Sequence, residues 1–117
     1  MKLITHGCRG SIPISSNEMM KYGGNTTCFE LVTNEFQIFF DTGSGFQNAI
    51  LNPNKDILIL FSHFHHDHLQ GLAFNKYLLK PETKTFISSA LVNSEELNKI
   101  VRRYFSCLLY TSDAADE

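Results

Sequence analysis

Apolar and polar positions alternate, or run as short apolar blocks, through most of the first half of the chain; longer helical spacing appears in the second half. KLIT at 2–5 suits a short first strand, and a long loop marked by glycine and serine follows over 6–25. TTCFELVT at 26–33 alternates as a strand does, Asn34 and Glu35 supply a turn, and FQIFFDT at 36–42 completes a predicted β-hairpin. GSG at 43–45 breaks that strand, FQNAIL at 46–51 suits one or two helical turns, and NPN at 52–54 stops them. DILILF at 56–61 is a continuous apolar run, which predicts a strand buried on both faces.

Further on, LQGLAFNKYLLK at 69–80 has helical periodicity through Leu69, Leu72, Ala73, Lys76 and Leu79, ended by Pro81. KTFIS at 84–88 reads as another strand. SEELNKIVRRYF at 94–105 reads as an amphipathic helix with Ser94 at the N-cap and Glu95 and Glu96 in the first turn. Leu97, Ile100, Val101 and Phe105 form its apolar face. Strands come first and then alternate with helices, which predicts an α/β layered domain.

Composition narrows the class. A chain of 117 residues that is 43% hydrophobic and 19% charged fits one globular domain, or part of one, and argues against disorder. A net charge of −2 with a pI near 6.2 gives no global electrostatic case for nucleic acid or an anionic membrane. Lys99, Arg102 and Arg103 lie close together, which reads first as a solvated helix face. No apolar run approaches the roughly 18 residues of a spanning helix. MKLITHGCRG meets polar residues too soon for a signal-peptide core, so no membrane association is expected. Cys8, Cys28 and Cys107 are a sparse, odd set that suits no disulfide framework, and a reducing cytoplasm is the expected location.

The chemistry is concentrated in SHFHHDH at 62–68, which holds four of the five histidines. Imidazole and carboxylate suit zinc, with manganese or iron as alternatives. His63 and His65 are two apart while Asp67 and His68 are adjacent, so one helix face cannot carry all four. A tight loop leaving a rigid strand can, and the apolar run before the cluster provides that anchor. The natural division is into two pairs, His63 with His65 and Asp67 with His68, each holding one of two divalent metals about 3.5–4 Å apart. The plain alternative is a solvated histidine-rich loop.

SHFHHDH after an apolar strand resembles the HxHxDH motif of the metallo-β-lactamase fold. The resemblance implies His63 and His65 on one metal and Asp67 and His68 on the other, the latter two also being the catalytic candidates; His66 occupies a variable position. FFDTGSGFQ at 39–47 is similar to the family's Asp-x-Gly element, which implies that Asp41 hydrogen-bonds behind the metal-binding histidines. GCRGSIP…YGGNTTC at 7–28 resembles the N-terminal loop of phosphodiesterase-like and tRNA 3′-processing-nuclease-like members. Gly7, Gly10, Gly23 and Gly24 would then permit tight turns near the metals, and Asn25 or Arg9 would face a phosphate or else serve the loop itself.

The resemblance spans roughly residues 2–106 and implies the N-terminal half of an αββα sandwich, a mixed sheet with flanking helices. The activity it implies is metal-dependent hydrolysis, a metal-bound hydroxide attacking a phosphodiester in a small molecule or nucleic acid. Thioester or lactam hydrolysis and a non-catalytic metal-binding module are the alternatives, and an oligomer is compatible with all of them. The family's later ligands, a third histidine, a bridging aspartate and a final histidine, have no counterparts here. No histidine follows His68, and the aspartates after Asp67 are Asp113 and Asp116. CLLYTSDAADE at 107–117 resembles translated sequencing-adapter DNA and reads as a non-native tail beyond a break near Ser106, the alternative being an ordinary acidic tail. A chain so incomplete is expected to be an inactive fragment that binds zinc poorly, with one sheet face lacking its partner layer.

Overall fold

The Asn34-Glu35 turn closes the hairpin as its sequence requires: Thr33 N donates to Phe36 O at 2.9 Å, and Phe36 N donates to Thr33 Oγ1 at 2.9 Å. The computed structural model of the chain describes residues 1–78, 80 and 82–103. The expectations placed on Leu79, Pro81 and Phe105, and on the tail at 107–117, lie outside them. Among the described residues five strands are present, β1 (Lys2–Gly7), β2 (Cys28–Val32), β3 (Phe36–Phe40), β4 (Asp56–Phe61) and β5 (Thr85–Ser89), in the spatial order of the sequence. β1–β2 and β2–β3 are antiparallel, whereas β3–β4 and β4–β5 are parallel. The expected mixed α/β sheet is therefore what forms.

Strand alternation sorts the sheet into two unlike faces. Cys28, Phe39, Ile57, Ile59 and Phe61 are buried on one of them. Phe46, Ala49, Leu51, Leu69, Leu72 and Leu97 cover that face, and Phe39 meets Phe46 edge-on with centroids 5.0 Å apart. On the other face a register row runs across all the strands: Leu3, Leu31, Ile38, Leu58 and Phe86. Leu3 is 65% exposed and Phe86 57%. β4 is thus buried through Ile57, Ile59 and Phe61 but only half-buried through Leu58 and Leu60. This corrects the expectation of burial on both faces: an apolar run shows what a strand can bury, not what is there to bury it.

The helix expected over 69–80 does not form. A single turn, α1 (His66–Leu69), gives way to a 3-10 turn at Leu72–Phe74. Gly71 passes so close to the Gly43 carbonyl that a Cβ would overlap it, and Gly71 N donates to Thr42 O at 2.9 Å. Asn75 then turns inward, donating from Nδ2 to the carbonyls of Phe46 at 2.8 Å and Ala49 at 2.9 Å. Its Oδ1 accepts from Tyr77 N at 2.9 Å, an Asx turn that competes with helical bonding.

The second helix, α2, covers 94–103 among the described residues. Asn93 rather than Ser94 is its N-cap, for Asn93 Oδ1 accepts from Glu96 N at 2.9 Å. Leu97 is buried against the core, with Ile100 and Val101 beside it. Among the described residues no helix is long and apolar enough to cross a membrane.

Candidate metal centre

Two strand ends and one loop build the cluster. β3 ends into Asp41 and parallel β4 ends into Ser62, so their neighbouring C-terminal ends carry both halves of the site. Asp41 takes φ of +64°, a left-handed conformation that aspartate tolerates better than most side chains. Its backbone N–H donates to Leu60 O at 2.9 Å, which ties this turn to β4.

The buried Asp41 carboxylate is then fully engaged. Oδ1 accepts from Ser62 N at 2.8 Å, and Oδ2 accepts from Ser62 Oγ at 2.6 Å and from His68 Nδ1 at 2.8 Å. A carboxylate only accepts, so His68 donates to it from Nδ1, and in the neutral form of the ring the lone pair is then on Nε2. Nε2 lies 3.4 Å from Asp67 Oδ2. Asp41 thus hydrogen-bonds His68 at Nδ1.

The four candidate ligands lie side by side. The His63 ring is 4.5 Å from that of His65 and 4.0 Å from that of His68, centroid to centroid, and Asp67 adjoins His68. His63 therefore touches members of both expected pairs. His65 is exposed at the N-cap of α1, whereas His63, Asp67 and His68 are half-buried. His66 is exposed at the first position of α1.

Asp67 Oδ2 also accepts from Ser11 N at 3.1 Å. Burial on its own would raise the Asp67 carboxyl, but the Ser11 N–H and the imidazoles of His68 and His63 hold it below the usual carboxylate range. Ser11 itself is left-handed, at φ of +72°. The N-terminal loop thus touches Asp67 through its backbone. Arg9 Nε donates to Ile12 O at 2.8 Å, and Asn25 Oδ1 accepts from Ser44 Oγ at 3.0 Å, so both stabilise the loop itself.

The exit from the cluster is bolted down through the buried Thr26. Its Oγ1 accepts from Ser44 N at 2.7 Å and from Gln70 Nε2 at 2.9 Å. Thr42 N donates to His68 O at 2.9 Å. Ser62, Ser11 and Thr26 are contributions that the motif did not reveal. Ser62 had a signal, since it lies inside SHFHHDH between the strand and its first ligand.

Imidazole nitrogen with carboxylate oxygen is a donor set suited to zinc, and tethered imidazoles are what such a centre needs. The fit is partial. Among the described residues no group of three or more His, Cys, Asp or Glu is arranged to hold a metal ion. Of the cysteines among the described residues, Cys8 is exposed and Cys28 buried.

No family model and no curated protein matches this chain. Among solved structures it is similar to the metallo-β-lactamase fold protein YhfI from Bacillus subtilis, with a TM-score of 0.56 and 23% identity. The match covers 83% of this chain and 41% of that one. At that identity the likeness shows the fold: the chain has the α/β layout of part of a metallo-β-lactamase fold, and it spans well under half the length of this neighbour.

Proposed function

We propose that this chain supplies the metal-anchoring part of a metal-dependent hydrolase acting on phosphodiesters, whether in a small molecule or in nucleic acid. His63 and His65 hold one divalent ion and Asp67 and His68 a second, zinc being the first expectation and manganese or iron the alternatives. Bound ions of this kind supply Lewis acidity, acidifying water and offsetting charge on an attacked group. The chain's own residues hold the ligands in place. Asp41 keeps His68 Nε2 turned toward Asp67, the Ser11 N–H steadies one oxygen of Asp67, and Thr26 fixes the turn leaving the cluster. Ligands beyond these four complete the centre from sequence outside the described residues.

The observation that carries the reading is the bond from His68 Nδ1 to the buried Asp41, a carboxylate 27 residues away in sequence. A merely solvated histidine loop has no use for it. The phosphodiester preference is supported by the resemblance of the 7–28 loop and the DTGSGFQ element. Thioester or lactam hydrolysis uses the same donor set.

Reading the source DNA across the Ser106–Cys107 codons comes first. A frame continuing into further histidine and aspartate ligands gives a chain whose hydrolysis of bis(p-nitrophenyl) phosphate and S-lactoylglutathione decides the substrate class. Metal uptake without turnover of either would favour the non-catalytic module. The 117-residue chain alone is expected to bind zinc weakly and hydrolyse nothing measurable. Tight binding of two zinc ions in equilibrium dialysis would overturn that expectation.

A further inference from the structure

We propose that Ser62 is a positioning residue that relays the Asp41 carboxylate to His63, so that a single buried carboxylate sets the tautomer of two imidazoles in the cluster. The inference rests on the metal-anchoring reading above and adds a residue and a role to it. Ser62 Oγ lies 2.6 Å from Asp41 Oδ2 and 2.9 Å from His63 Nδ1. A serine hydroxyl has one proton to give. Asp41 Oδ2 is acceptor-only, and at that separation an opposed pair of lone pairs is untenable, so the serine proton goes to Asp41. The serine oxygen is then left as an acceptor, and His63 must donate to it from Nδ1.

In the neutral ring this leaves the His63 lone pair on Nε2, as the direct bond to Asp41 does for His68. The backbone reinforces the relay, because Ser62 N donates to Asp41 Oδ1 and so holds the serine against both carboxylate oxygens. The left-handed turn at Asp41 lets one side chain serve Ser62 and His68 together. Ser62 is exposed, so packing does not explain its place. Threonine keeps the hydroxyl; alanine removes it and nothing else of size.

The test uses the metal-free chain labelled with 15N in histidine, reading the Nδ1 and Nε2 shifts of each ring at a pH where the imidazoles are neutral. Wild-type protein is expected to show His63 and His68 both protonated on Nδ1. In Ser62→Ala the His63 signals move toward a tautomer mixture while those of His68 hold, and Ser62→Thr restores the wild-type pattern. His63 protonated on Nε2 in the wild-type chain, a measurement that needs no variant, overturns the relay. So does a His63 tautomer indifferent to Ser62→Ala.

Zinc titration provides the second readout, with Ser62→Ala expected to weaken binding about 10-fold and Ser62→Thr to leave it near wild type. Equal affinity in the wild-type and alanine chains overturns the positioning role. Absence of any zinc binding by the wild-type chain overturns the metal-anchoring reading instead, with the tautomer result still deciding the relay.

Discussion

Two buried carboxylates each hold a histidine, and they do opposite things with it. Glu30, in β2, takes His6 Nε2 at 2.7 Å and Gln37 Nε2 at 2.8 Å. Gln37 continues the chain of bonds by donating to Ile50 O and accepting from Asn52 N. Asp41, just past β3, takes His68 by Nδ1 at 2.8 Å. An imidazole gripped at Nε2 is plugged at its tip and seals what it touches, and the His6 ring lies stacked over Phe39 accordingly. Gripped at Nδ1, near its own backbone, the ring presents Nε2 outward. The same pair of functional groups thus makes a brace in one place and, on the proposed reading, a ligand mount in the other, and the nitrogen chosen decides which.

The comparison breaks most directly at Asp41. Asp41→Ala strips partners from Ser62 and His68 and puts alanine in a left-handed conformation. It is expected to lose about 3 kcal/mol of stability in urea unfolding and to weaken zinc binding by about 10- to 100-fold. Glu30→Ala should cost about 2 kcal/mol by the same assay, since it leaves the His6 and Gln37 donors unsatisfied, with zinc affinity unchanged. A matching loss of zinc affinity in Glu30→Ala would erase the distinction between brace and mount.

Acid sharpens the contrast further. Burial would raise the Glu30 carboxyl, but its bonds to His6 and Gln37 hold it below the ordinary glutamate value of 4.5. A carboxyl depressed by folding stabilises the native state at pH above its unfolded value, and that contribution fades as pH falls through the native value. Acid titration of wild-type and Glu30→Gln chains should therefore show their stabilities converging below pH 4.5. The smallest effect belongs to the surface pair Glu95–Lys99, 3.9 Å apart with both side chains largely exposed. Lys99→Ala should shift stability by no more than about 0.5 kcal/mol, and less in high salt.

The mount was legible in the sequence and the brace was not. His63, His65, Asp67 and His68 share one short stretch after an apolar strand, so their spacing was enough to nominate them, whereas Asp41 was nominated only by the resemblance of FFDTGSGFQ to the Asp-x-Gly element of the metallo-β-lactamase fold. Glu30 and His6 are 24 residues apart in unrelated segments, and only the β1–β2 pairing brings them together. The five strands were readable because alternation and turn residues act locally. The helix at 69–80 was not, because periodicity counts side chains and is blind to the close passage of Gly71 against Gly43. Asn93 displaced Ser94 as the cap for a similar reason: neighbouring residues of equal propensity are separated only by which side chain reaches the Glu96 N–H.

The apolar row from Leu3 to Phe86 has a consequence for the chain as a solute. Side chains of that kind drive association through released water, so two such faces should cohere more strongly on warming and in sulfate, and part in the cold. Sedimentation velocity at several temperatures would register it as a weight-average mass that climbs with heat instead of falling.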